Sequence, residues 1–185
     1  MNNYEKAIKP LMKEKRFYHS VCVAKTAVEL AEKFGENKQK AYIAGILHDC
    51  RKEADKEQMK KEMLKSGFSV DSAELKTPKL WHGIAGAYYA KTVFKVDDDD
   101  ILNAIRFHTV GRAYMSKLEK IIYLADMVSD DRDYPDVEKY RKIVFGDLDK
   151  AMYVMLQWSL SKTVETGGLI PACSVEAFNY YNEKQ

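Results

Sequence analysis

With 185 residues, 46% of them hydrophobic and 31% charged, the chain can bury one full core and lacks the polar bias of a disordered polymer. A formal net charge of +2 excludes a surface built for general nucleic-acid binding, which needs concentrated positive charge. The charged N-terminus MNNYEKAIKPLMKEK lacks the apolar centre of a secretory signal and no run of about 18 apolar residues occurs, so the expectation is a cytoplasmic protein with no membrane partner.

Nearly every periodic segment repeats near 3.6 residues and no alternating strand pattern or Asn-Gly hairpin stands out, so the expected class is all-α. The spacing predicts a first helix over about Tyr4–Glu14 and a second over Phe17–Phe34, stopped by Gly35. Asn37 reads as the cap of a third helix whose residues Ala41, Ala44, Gly45 and Leu47 run into His48. Further helices are expected near Lys56–Lys65, His82–Phe94, Asp98–His108, Ser116–Val128, Asp136–Glu165 and Val175–Asn182. Ser116 with Glu119 forms a capping box, and the acidic run Asp97–Asp100 sits where a helix N-terminus favours negative charge. Pro135 and the Gly167-Gly168 pair followed by Pro171 mark loops, so the expected organisation is a single domain over 1–185. Its metal-binding core would cover about 16–132 and its C-terminal helices 136–185.

The chain has four histidines: His19 in RFYHSV, His48 in LHDC, His82 in LWHGIAG and His108 in IRFHTVG. His19 shares a helix face with Val23, Ala27 and Leu30, His82 with Ala85, Gly86 and Tyr89, and His108 follows Ile101, Ala104 and Ile105 at the same spacing, so all three are expected to point inward. Asp126 continues the stripe Leu118, Ile121, Ile122 and Ala125, and a buried carboxylate requires a cationic partner. A lone inward histidine is ordinarily a hydrogen-bonded core residue. Separate helices each burying a costly polar group at unrelated places is the less economical account; a shared metal site explains them together, because imidazole and carboxylate suit iron, manganese, cobalt and zinc.

His48 and Asp49 are adjacent, and helix neighbours diverge by about 100°, so both reach one ion only where the helix opens. Asp49 can also bridge to a second ion, the arrangement that serves phosphoryl transfer. Arg16, Lys52 and Arg132 lie within reach and offer phosphate a fork or a point charge, against the ordinary alternative of solvated surface cations. Cys22, Cys50 and Cys173 form no CxxC pair and read as small, reduced, buried residues.

The ordered set His19, His48-Asp49, His82, His108, Asp126 resembles the HD-domain metal-dependent phosphohydrolase superfamily. The stretches LHDCRKE, HTVGRAYMSKLEKIIYLADMVSDDRDYPDVEKYR and SVEAFNYYN look like its YqeK branch, the bacterial symmetrical diadenosine tetraphosphate hydrolases. The resemblance implies an all-α HD-domain helical bundle with an iron site, commonly dinuclear, in which manganese, cobalt or zinc are alternatives. It implies cleavage of diadenosine tetraphosphate to two ADP by metal-activated water at a central phosphate, so a dinucleoside polyphosphate or ADP-like nucleotide is the expected partner. His19, His48, Asp49 and Asp126 match the core metal ligands, with Asp49 also orienting the nucleophile, and His82 and His108 match the pair that holds a second metal or meets phosphate. Arg16, Lys52, Thr109 and Arg132 fall where phosphate or nucleotide contacts belong. The chain departs from the branch in VSDDRDYPD, where Ser129, Asp130 and Asp131 bring negative charge close to the expected phosphate, and in Cys50 and Arg51 after the His-Asp pair.

Three rival activities fit the same residues: another HD phosphohydrolase acting on a nucleoside triphosphate, guanosine polyphosphate or cyclic dinucleotide; a di-iron HD oxygenase; and a nucleotide-binding regulator with a silent site. A homodimer is a further expectation, with Tyr153 and Trp158 on the long helix as its markers.

Overall fold

The computed structural model describes residues 3–185, and among them there are helices and turns but no strand. The helices are α1 (Asn3–Ile8), α2 (Glu14–Phe34), α3 (Lys38–Leu47), α4 (Lys56–Lys65), α5 (Ser72–Leu75), α6 (Trp81–Thr92), α7 (Asp99–Phe107), α8 (Lys117–Val128), α9 (Val137–Val144), α10 (Leu148–Glu165) and α11 (Ala172–Asn182). Met1 and Asn2, the start of the charged N-terminal stretch, lie outside the described residues.

Local chemistry sets most boundaries. Gly35 takes a left-handed conformation (φ 67°) and its N–H donates to Ala31 O, closing α2 as only a residue without a Cβ does at little cost. The Asn37 side chain accepts from the N–H groups of Gln39 and Lys40 to start α3, Asp98 does the same for Asp100 and Ile101 at α7, and Ser116 and Glu119 form the expected capping box on α8. A second capping box, Asp71 with Glu74, starts the short α5, which the periodicity did not reveal because four residues are too few to repeat.

Two expected helices are corrected. Tyr4–Glu14 is not one helix: α1 ends at Ile8 and Lys9–Leu11 form a 3₁₀ turn, because Pro10 has no N–H to give a longer helix. Asp136–Glu165 is likewise divided, into α9 and α10, by Gly146 and by Asp147, whose carboxylate caps α10 by accepting from Lys150 N–H. Tyr153 and Trp158 do not project as bare markers of a contact: Trp158 stacks on Tyr134 with ring centroids 5.3 Å apart, and Tyr153 on Phe178 at 5.7 Å.

The core is built from α2, α3, α7, α8 and α10, with Leu30, Ile46, Leu47, Ile105, Leu118, Ile121 and Ile122 all fully buried. Close approach of helices depends on two glycines. A Cβ at Gly45 of α3 would lie 2.8 Å from Ala24 Cα of α2, and one at Gly83 of α6 would lie 2.9 Å from Arg106 O of α7. These contacts bring the C-terminal end of α3 and the N-terminal end of α6 against the middle of α2 and the end of α7, where every histidine of the chain resides.

Candidate metal centre

His19 projects from α2, His82 from the first turn of α6 and Asp126 from α8, while His48 and His108 cap the C-terminal ends of α3 and α7. Beyond His48 the chain leaves the helix in a series of tight turns, with Cys50 N–H donating to Leu47 O and Lys52 N–H to Asp49 O. This opening lets the adjacent His48 and Asp49 face the same point. The four imidazoles and Asp49 are buried, and the Asp126 side chain is 17% exposed at the mouth.

The hydrogen bonds of the rings decide which nitrogen faces inward. Nδ1 of His48 donates to Gly45 O (2.7 Å), Nδ1 of His82 to Lys79 O (2.8 Å) and Nδ1 of His108 to Ile105 O (2.7 Å). A carbonyl only accepts, so these nitrogens carry the protons and the acceptor lone pair of such a ring lies on Nε2, facing the centre. Three histidines thus use the same device, a carbonyl three residues back in a helical turn. His19 differs: its Nδ1 faces the carboxylate of Asp131 at 2.8 Å, and Asp131 is held in turn by the Ser129 hydroxyl at 2.7 Å.

The Nε2 atoms converge on two carboxylates. Asp126 Oδ1 lies 3.0 Å from His19 Nε2 and 3.8 Å from His48 Nε2. Asp49 Oδ2 lies 3.6 Å from His48 Nε2, while its Oδ1 lies 3.2 Å from His82 Nε2 and 3.5 Å from His108 Nε2. His48 Nε2 and Asp49 Oδ1 are buried with no hydrogen-bond partner, which in a protein interior costs free energy unless another group meets them. Two triads have donor atoms within 4.8 Å of one another, His19-His48-Asp126 and His48-Asp49-His108. Each could hold a metal ion. The donors are the imidazole and carboxylate types that divalent iron, manganese, cobalt and zinc accept, and the orphaned atoms fit such an ion.

At His48 and His82 protonation favours the same use. Burial lowers His48 and His82 to about 4, so both are neutral near pH 7. Burial alone would raise Asp49 and Asp126, but the surrounding imidazoles, with Arg132 in the case of Asp126, hold both below the ordinary carboxylate range. For His19 burial is outweighed by its contacts with Asp126 and Asp131, which raise it. Neutral rings and ionised carboxylates are the forms that bind metal.

Three cations surround the carboxylates. Arg16 donates to Asp49 Oδ2 at 2.7 Å; Arg132 donates to the side chain of Asp126 and to its backbone oxygen. Lys52 Nζ is 2.9 Å from His82 Nε2 and 4.0 Å from Asp49 Oδ1, and burial lowers its pKa. The Thr109 hydroxyl stands 3.2 Å from His82 Nε2 and 3.0 Å from His108 Nε2. All ten residues singled out in the sequence therefore meet in one place.

Asp131, in the acidic stretch after α8, also reaches the centre. The loop after α8 turns its carboxylate onto His19, while Asp130 faces outward to Lys25 at 2.8 Å. Arg141 pins this loop by donating to Val128 O, Ser129 O and Arg132 O. Arg51 and Cys50 turn away from the centre: Arg51 makes a double hydrogen bond to Glu62 under Tyr89, and Cys50 packs on Gly86. Beside the centre a cavity of about 260 Å³ opens past Lys52 and Thr109, walled by Tyr123, Leu156, Leu160 and Ile170. This cavity has no signature in the sequence, because its walls come from segments far apart in the chain.

A family model described as the HD domain matches residues 16–131, which contain every donor of the two triads. The chain belongs to the HD domain family. Among relatives of this HD domain, the symmetrical bis(5'-nucleosyl)-tetraphosphatase of Bacillus subtilis (strain 168) is 42% identical over 145 residues, 78% of this chain and 77% of that protein. The protein of the same name from Staphylococcus aureus (strain NCTC 8325 / PS 47) is 31% identical over 185 residues, covering 97% of this chain and 95% of that one. A crystal structure of a predicted HD superfamily hydrolase involved in NAD metabolism, from Clostridium acetobutylicum, superposes with a TM-score of 0.94 at 37% identity, covering 98% of this chain and 96% of the other. No helix among the described residues of this HD domain is long and apolar enough to cross a membrane.

Proposed function

We propose that this HD domain is a metal-dependent hydrolase that cleaves diadenosine tetraphosphate with water into two molecules of ADP. The observation that carries the reading is the position of Asp49 among the histidines, its Oδ2 facing His48 Nε2 and its Oδ1 facing the Nε2 atoms of His82 and His108. The names of the Bacillus and Staphylococcus relatives support the substrate.

In this reading His19, His48 and Asp126 hold one ion, and Asp49 with His108 and His82 holds a second or meets phosphate. Iron is the proposed metal, with manganese, cobalt and zinc as alternatives that the same donors accept. When bound, the ions lower the pKa of a water and offset the charge that develops at phosphorus. The chain's own groups do the rest. Asp49 orients the attacking water toward a central phosphorus, Arg16 and Arg132 offer guanidinium N–H donors to its equatorial oxygens, and Lys52 places its ammonium beside them. Thr109 supplies a hydroxyl at the entrance to the 260 Å³ cavity, which receives one nucleoside and brings its phosphates to the centre.

The test is chromatography of the nucleotide products formed by manganese- or iron-loaded protein from a panel of dinucleoside tetraphosphate, nucleoside triphosphate, guanosine polyphosphate and cyclic dinucleotide. The expected result is turnover of diadenosine tetraphosphate to ADP alone, abolished by a chelator. ATP with AMP as products, or turnover confined to another member of the panel, would overturn the reading.

A further inference from the structure

A second cavity, of about 510 Å³, also borders Lys52. It shares Lys52 and Lys79 with the first cavity and includes His82 of the metal centre, so the two meet at the candidate site. Its lining holds four lysines, Lys52, Lys56, Lys76 and Lys79, and no carboxylate, around an apolar floor that includes Met59 and Pro78. Lys56, Lys76 and Lys79 are exposed. Some exposed lysines elsewhere pair with acids, as in Lys25–Asp130, Lys38–Glu32 and Lys162–Glu165. Among the described residues Lys56, Lys76 and Lys79 have no such partner. A chain with a net charge of only +2 thus concentrates unneutralised positive charge in one hollow beside its metal centre, which raises the local concentration of anions.

Symmetrical cleavage demands room for a nucleoside diphosphate on each side of the scissile bond, since one leaves in each direction. One cavity at the centre accommodates one half of such a substrate. We propose that the lysine-lined cavity is the subsite for the second nucleoside diphosphate half, its lysines holding the phosphates that lie beyond the cleaved bond and Met59 and Pro78 supporting the distal nucleoside. The inference rests on the reading given under Proposed function and adds to it where the other half of the substrate lies.

The test is a calorimetric titration of manganese-loaded protein with ADP, comparing wild type with the double variant Lys56→Gln/Lys76→Gln. Neither lysine touches the metal donors and both are exposed, so the variant keeps its fold, checked by an unchanged thermal melt. Wild type is expected to bind two ADP per chain; the variant weakens one of the two about tenfold and leaves the other unaltered, as the loss of two exposed charge contacts predicts. A single ADP per wild-type chain, or identical isotherms for the two proteins, would overturn the inference. Failure of wild type to release ADP from diadenosine tetraphosphate would instead defeat the substrate reading, and the titration separates the two failures.

Discussion

Asp131 illustrates how one side chain decides the state of another. A carboxylate on Nδ1 makes His19 a stronger donor than a carbonyl does and fixes which nitrogen faces Asp126. Asp131→Ala is expected to weaken metal binding about 10- to 100-fold, measured by competition with a chelating dye, whereas Asp131→Asn, whose amide oxygen still accepts from Nδ1, retains most of it. Equal affinity in Asp131→Ala would remove the role. Asp49 carries a heavier demand, because its Oδ2 faces His48 and Arg16 while its buried Oδ1 faces His82 and His108. Asp49→Asn is expected to reduce turnover at least about 100-fold even when metal is restored; wild-type turnover in metal-loaded Asp49→Asn protein would exclude it from orienting the nucleophile. The histidines and both aspartates of the two triads were legible as a sequence pattern, because burying several costly polar groups at helical spacing has few explanations. Asp131 was not, since its partner lies 112 positions away and only the loop geometry after α8 reveals it.

At the scale of the elements, the centre exists because α3 ends where it does and lies close to α2. Gly45 permits the approach, and Gly45→Ala would set a methyl group 2.8 Å from Ala24 Cα. The two helices must then separate, at a cost of about 1–3 kcal/mol, visible as a lowered melting temperature together with weaker metal binding because His48 moves with α3. A melt and a metal affinity both unchanged would mean that the helix pair tolerates the methyl without displacing His48. Helix existence and caps were readable from period and capping residues, so α3, α4, α7 and α8 fall close to expectation. The failures lie where a single residue competes with periodicity: Pro10 removes a donor, and the pair Gly146-Asp147 ends one helix and caps the next although the apolar stripe continues. Short α5 and the turn at Pro78–Leu80, which shape the lysine-lined cavity, carry no periodic signal at all.

For the molecule as a whole, metal and fold are coupled. Helices α2, α3, α6, α7 and α8 each direct a polar donor to the same interior point, and an ion that binds only the folded chain stabilises it by mass action. Removing metal that had been held at about a hundred times its dissociation constant costs about 2.7 kcal/mol. For a chain of this size the expected fall in melting temperature is about 5–10 °C, reversed by adding manganese back. A melt indifferent to both chelator and metal would show that the donors close on themselves through hydrogen bonds alone.

The most direct measurement is mass spectrometry of the products when metal-loaded protein hydrolyses diadenosine tetraphosphate in heavy-oxygen water. Attack at a central phosphorus predicts ADP as the nucleotide product, with half of it carrying a single heavy oxygen on the terminal phosphate. Label in AMP or ATP, or ADP without label, would contradict attack by water at the centre of the tetraphosphate and with it the account of this site.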